Sequence, residues 1–121
     1  MSLVLSMRPG DLLRINGSTI CFRSAVKIEM IDEARFVFGK QVLEETNAVT
    51  PLQKLYFAIQ EAYVGDPQKQ MGWIERAREI FTQIPSFSSV FDDSLDKIRL
   101  KFEASNYREA LCGLRKLLKQ K

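Results

Sequence analysis

The sequence predicts an α+β fold: a small N-terminal antiparallel β-sheet followed by a C-terminal helical bundle. Three observations carry that expectation. Apolar and polar residues alternate with period two before residue 40. After residue 50 the apolar residues recur with the 3.6 period of a helix. Between two alternating runs stands Asn16-Gly17, the strongest short hairpin signal, because both positions tolerate positive φ. A chain of 121 residues, 45% of them hydrophobic, is long enough for one core and too apolar for disorder. One compact domain is expected, with residues 1–48 as an antiparallel β subdomain and 49–121 as a helical subdomain.

The elements follow in order. Leu3, Leu5 and Met7 alternate with Val4 and Ser6 ahead of a Pro9-Gly10 turn. Leu13 and Ile15 alternate with Arg14. A two-residue loop at Asn16-Gly17 sets Ile15 opposite Ser18, Arg14 opposite Thr19 and Leu13 opposite Ile20. Leu13, Ile15, Ile20 and Phe22 then share one face, expected to be the core side. Arg14, Thr19 and Arg23 share the other. Val26, Ile28 and Met30 suggest a third strand, and Arg35-Phe36-Val37-Phe38 a fourth. Glu44 to Val49 is a polar link.

The rest reads as helix. Thr50 is an N-cap, Pro51 suits the first helical position, and Gln53 completes a capping box. Leu52, Leu55, Tyr56, Ile59 and Tyr63 form its stripe, and Gly65 ends it. Asp66-Pro67 starts a second helix bearing Trp73, Ala77, Ile80 and Ile84, stopped at Pro85. Ser88 or Ser89 caps a third, with Phe91, Leu95, Ile98 and Phe102 inward. Asn106, with Glu109 three residues on, starts a fourth, striped by Tyr107, Leu111, Leu114 and Leu118.

Several chemistries are ruled out or unsupported. There is no histidine, which excludes Ser-His-Asp and Cys-His catalysis and any His-containing zinc site. Neither phosphate-binding glycine motif occurs. Asp92, Asp93 and Asp96 are most simply the acidic first turn of a helix. No enzyme activity and no cofactor are expected. Cys21 and Cys112 lie far apart with no metal spacing, so both are expected as free thiols. No apolar run is long enough to cross a bilayer, and Met1 to Met7 lacks the marks of a secretion signal. A cytoplasmic protein without membrane contact is the expectation.

Charge is informative by position. The net charge is +3, but residues 1–50 are balanced and the excess is C-terminal. Two basic groups have the chemistry to meet an RNA. Arg14 and Arg23 lie with Thr19 on the polar hairpin face, extended by Arg8, Lys27 and Arg35; an arginine-bearing sheet face can contact phosphates and stack on splayed bases. The plainer reading is the solvent side of a two-faced sheet. Arg108, Arg115 and Lys119 fall at i, i+7 and i+11 along one flank of the last helix, with Lys116 and Lys121 nearby, a spacing that can neutralise phosphates. The plainer reading there is attraction to the helix dipole. The aromatic residues Trp73, Phe81, Phe91 and Phe102 are most simply core.

Two phrases carry a resemblance. Pro9-Gly10-Asp11-Leu12-Leu13-Arg14-Ile15-Asn16-Gly17 and Thr50-Pro51-Leu52-Gln53-Lys54-Leu55-Tyr56-Phe57-Ala58-Ile59-Gln60, joined by Ala34 to Lys40 and a Glu109-Ala110-Leu111 phrase, resemble the FlbT family of flagellum-biosynthesis repressors. The resemblance implies a post-transcriptional regulator that binds the 5′ untranslated leader of flagellin mRNA, holds back translation and promotes decay of the message. It implies partnership with FlaF and flagellin. A second reading of another class stands beside it: an adaptor binding flagellin or FlaF in a helical groove, acting on mRNA indirectly. The family offers no RNA-contact motif, so the candidate contacts Arg14, Arg23, Arg108, Arg115 and Lys119 rest on charge and face alone.

Overall fold

The computed structural model describes residues 3–119. Lys121, placed near the basic flank by sequence, lies outside them, as do Met1 and Ser2. Among the described residues five strands precede four helices, the α+β order that periodicity predicts. The strands are β1 (Leu3–Met7), β2 (Leu12–Ile15), β3 (Ser18–Cys21), β4 (Val26–Met30) and β5 (Phe36–Phe38). They form two sheets: an antiparallel β1–β4 ribbon, and a three-stranded antiparallel sheet in the order β3-β2-β5. The hairpin register is the one its turn dictates, with Ile15 opposite Ser18, Arg14 opposite Thr19 and Leu13 opposite Ile20. Asn16 at φ 48° and Gly17 at φ 80° supply the two left-handed residues of the loop.

The sidedness of this sheet differs from the expectation. Arg14 pairs with Val37 across β2 and β5, so the two share a face, and Val37 belongs to the helical core. The face bearing Arg14 is therefore the one turned to the helices. Leu13, on the other face, is buried too, as are Leu5 and Met7 of β1, all outside the helical cluster. With both faces of β2 covered, alternation cannot say which side meets the helices. The edge strand β3 is exposed throughout, so Ile20 is 42% exposed rather than core, and Ile15 and Phe22 are only half-buried.

The helices are α1 (Pro51–Val64), α2 (Gln70–Gln83), α3 (Ser89–Glu103) and α4 (Tyr107–Lys119). Thr50 and Gln53 form the capping box of α1, with Pro51 at its start. Asp66 caps a single 3₁₀ turn, Pro67–Lys69, instead of α2 itself. Ser88 caps α3. The end of α3 is a Schellman motif, with Asn106 N–H donating to Lys101 O and Ser105 N–H to Phe102 O. Its left-handed residue is Ser105, at φ 62°.

The core gathers on α1, whose Leu52, Leu55, Tyr56, Ala58, Ile59, Ala62 and Val64 are all buried. α2 and α4 pack on it, and α3 packs on α4. Gly113 permits that last approach: a Cβ there would sit 2.8 Å from Ile98 Cγ1. Leu55, Ile59, Ile80, Ile98 and Leu114 are core as expected, with Phe81 and Phe102, while Phe91 and Trp73 are half-buried. Two of the carbonyls ending α1 are satisfied from a distance. Gln70 Nε2 donates to Ala62 O at 2.9 Å, and the hairpin tip donates Gly17 N–H to Val64 O at 2.7 Å.

Candidate nucleic-acid interface

The five basic residues singled out by charge fall into two groups. Arg14 and Arg115 point inward and are bonded. Arg23, Arg108 and Lys119 are exposed and belong to no salt bridge among the described residues.

Arg14 leaves β2 toward α1 and meets Glu61 in a two-point ion pair. Its Nη2 bonds Oε1 and its Nε donates to Oε2 at 3.3 Å. The side chains are only 13% and 10% exposed. Arg14 thus lies on the packed face of the hairpin, not on the open polar face expected for it; a carboxylate rising from the buried side of α1 draws it there. Arg23 follows β3 and is exposed, as are Arg8, Thr19 and Lys27. Arg35 is exposed and lies over the Tyr63 ring, 5.9 Å from guanidinium carbon to centroid.

Arg115 reaches from α4 back to α1, donating Nη1–H to Tyr56 Oη at 3.0 Å. Tyr56 Oη in turn donates to Gln41 O. Burial holds the phenol above its usual value of 10.0, against the opposing pull of the Arg115 bond. Beside Tyr56, the fully buried Gln60 pairs its carboxamide with the backbone of Leu43. It accepts from the Leu43 N–H and donates to its O, both at 2.9 Å. Gln60 and Glu61 are the residues that charge reasoning passed over. The available signal was two polar residues beside a helical stripe already broad enough to bury the helix on several sides.

Some of the other charges are occupied locally. Lys101 Nζ bonds Glu109 Oε2 at 2.7 Å, and this bond, ahead of charge attraction, holds the Glu109 carboxyl below its usual value. Arg99 lies over the Phe81 ring at 5.8 Å. Asp92 accepts from Ser86 Oγ and from the Phe87 N–H, fastening the loop before α3. Among the described residues no group of three acidic or thiol side chains is placed to hold a metal. Cys21 and Cys112 are free and exposed. No helix among these residues is long and apolar enough to cross a membrane.

Of the five basic residues singled out by charge, the open ones are thus Arg23 beyond the hairpin and, on the outer side of α4, Arg108 and Lys119, with the exposed Lys116 between them. Arg108 and Lys119 lie about 16 Å apart along the helix axis. Such a line has the chemistry to contact backbone phosphates without reading sequence. A separate apolar surface lies at the start of α3, where Phe87 is 84% and Val90 73% exposed, with Phe87 edge-on to Phe91 at 5.9 Å.

A family model described as "Flagellar protein FlbT" matches residues 3–121. The chain is 28% identical over 122 aligned positions to a protein of Mesorhizobium japonicum named "Probable flagellum biosynthesis repressor protein FlbT". That alignment covers 96% of this chain and 80% of the relative. It is 31% identical over 91 positions to a protein of the same name from Brucella anthropi, covering 74% and 57%. With a Brucella ovis protein, again of that name, identity is 38% over 56 positions. No solved structure matches.

Proposed function

The chain belongs to the FlbT family, and from that premise we propose that it is a repressor in flagellum synthesis that acts on flagellin mRNA. In this reading it binds the 5′ untranslated leader of the message in the cytoplasm, holds back translation and promotes decay. The role is regulatory and involves no catalysis. The name borne by the relatives, a probable flagellum biosynthesis repressor, supports the repressor role. The observation that carries RNA contact is the unpaired cationic flank of α4, Arg108 and Lys119 with Lys116 between them. Arg23 adds a contact from the hairpin end. Arg14 and Arg115 act from within, holding the hairpin and α4 on α1 through Glu61 and Tyr56.

The exposed Phe87 and Val90 favour a second reading, in which flagellin or FlaF docks on α3 and the effect on mRNA is indirect. A gel shift of the purified chain with flagellin leader RNA and with a scrambled RNA, each with and without flagellin, separates the two. Preferential shift of the leader by the chain alone supports direct repression. No shift at low salt, with tight binding to flagellin or FlaF, replaces it with the adaptor.

A further inference from the structure

We propose that the hollow between the hairpin tip and the end of α1 is a binding site for a single unpaired nucleotide, with its base on Tyr63 and its phosphate held by Arg35. The proposal deepens the RNA-binding reading and rests on it. The hollow has a volume of about 350 Å³, within the range of small-ligand sites. Its lining brings together a phenol ring, a guanidinium and two carboxamides, those of Tyr63, Arg35, Asn16 and Gln70, and no carboxylate.

Each group has a part. An aromatic face stacks on any base, and a guanidinium pairs with phosphate. Carboxamides offer the paired donor and acceptor that base edges require. Arg35 lies over the Tyr63 ring, is exposed, and has no salt bridge among the described residues. An exposed cation–π contact is weak, so the guanidinium can yield the ring to a base and turn to the phosphate at little cost.

One carboxamide is set in place beforehand, and the backbone that carries the other is held by its turn. Asn16 is fixed at φ 48° in a turn whose neighbour, Gly17, is bonded to Val64 O. Gln70 is fixed by donating Nε2–H to Ala62 O, which leaves Oε1 to accept. A site held this way loses little conformational freedom on binding. The α4 flank has no aromatic partner of this kind, so the hollow supplies what that flank lacks: contact with a base.

The test uses the full chain, ¹⁵N-labelled, with AMP and adenosine as probes and NMR shifts as readout. AMP is expected to move the Asn16 and Gln70 side-chain amides and the Gly65 backbone amide. Tyr63→Leu should weaken AMP binding about tenfold, the scale of one lost base stack. Arg35→Ala, at an exposed position that leaves the fold intact, should weaken AMP while leaving adenosine unchanged. Unmoved resonances, or AMP affinity indifferent to Arg35→Ala, overturn the site. The leader-RNA gel shift keeps the two proposals apart. Leader binding with no AMP response overturns the hollow and leaves the RNA reading standing. An AMP response lost in Arg35→Ala, with no leader binding, sustains the site as one for free nucleotides and removes the RNA reading.

Discussion

Taking the Arg14 guanidinium and the Glu61 carboxylate out of water costs several kcal/mol per ion, which their mutual attraction returns only while both are present. The pair is nearly enclosed, with Gln60 Nε2 3.4 Å from Glu61 Oε2 as a further donor. Arg14→Ala should therefore destabilise the fold by about 3 kcal/mol, leaving Glu61 without its cation. Arg14→Met with Glu61→Leu should recover most of that loss, and urea unfolding of the single and double variants measures both. Tyr56 makes a pH prediction. Its folded-state value is raised, so the folded protein holds the phenolic proton more tightly than the unfolded chain does. The stabilisation is complete below the unfolded value of about 10 and is lost as pH rises through the folded value. Tyr56→Phe should flatten the alkaline fall in stability, as followed by urea midpoints between about pH 8 and 11.

Caps and breakers made the elements legible. Thr50, Pro51 and Gln53 announced α1, Ser88 announced α3, and Asn16-Gly17 fixed a register that the sheet reproduces. The facing of the hairpin was not legible, because Arg14 looks like a solvent residue until the carboxylate of Glu61, far along the chain, is known to face it. The same holds for Arg115, whose i+7 spacing from Arg108 hid a bond to Tyr56. The end of α3 escaped notice because its left-handed residue is Ser105, where glycine is the usual sign. A non-glycine residue there costs about 1–2 kcal/mol, partly offset by the chain entropy that glycine would lose. Ser105→Gly should thus stabilise by about 0.5 kcal/mol, read as a raised melting temperature. Core truncations should follow burial: Leu55→Ala, at 0% exposure, should cost about 2–5 kcal/mol and half-buried Phe91→Ala clearly less.

The molecule is held together across its β and helical parts by few bonds, and the hairpin tip is one of them. Gly17 has φ 80°, and a Cβ there would meet Asp66 Cα at 3.2 Å. Gly17→Ala should destabilise by about 1–2 kcal/mol through the left-handed backbone alone. Far-ultraviolet circular dichroism and the fluorescence of Trp73 should still report one common transition if both parts melt together. The proposed RNA binding belongs to this scale as well. Arg108→Ala or Lys119→Ala should each lower the log–log salt slope by about 0.7 and weaken all RNAs alike. Arg23→Ala should instead narrow the preference for leader over scrambled RNA.

The placing of α1 at the centre has a consequence for how the chain is made. The ribosome delivers all five strands before the helix that their inner face needs. Until α1 leaves the exit tunnel, Val37 and Arg14 have neither core nor counter-ion. α1 must then wait for α4, the last helix among the described residues, before its own buried side is closed. At bacterial speeds of 5–20 residues per second, that interval lasts about 3–10 s. For those seconds the nascent chain presents open strand edges and an uncovered apolar helix, the surface on which a ribosome-associated chaperone would act. Chains halted before Tyr107 should accordingly be digested by protease far faster than the 121-residue chain.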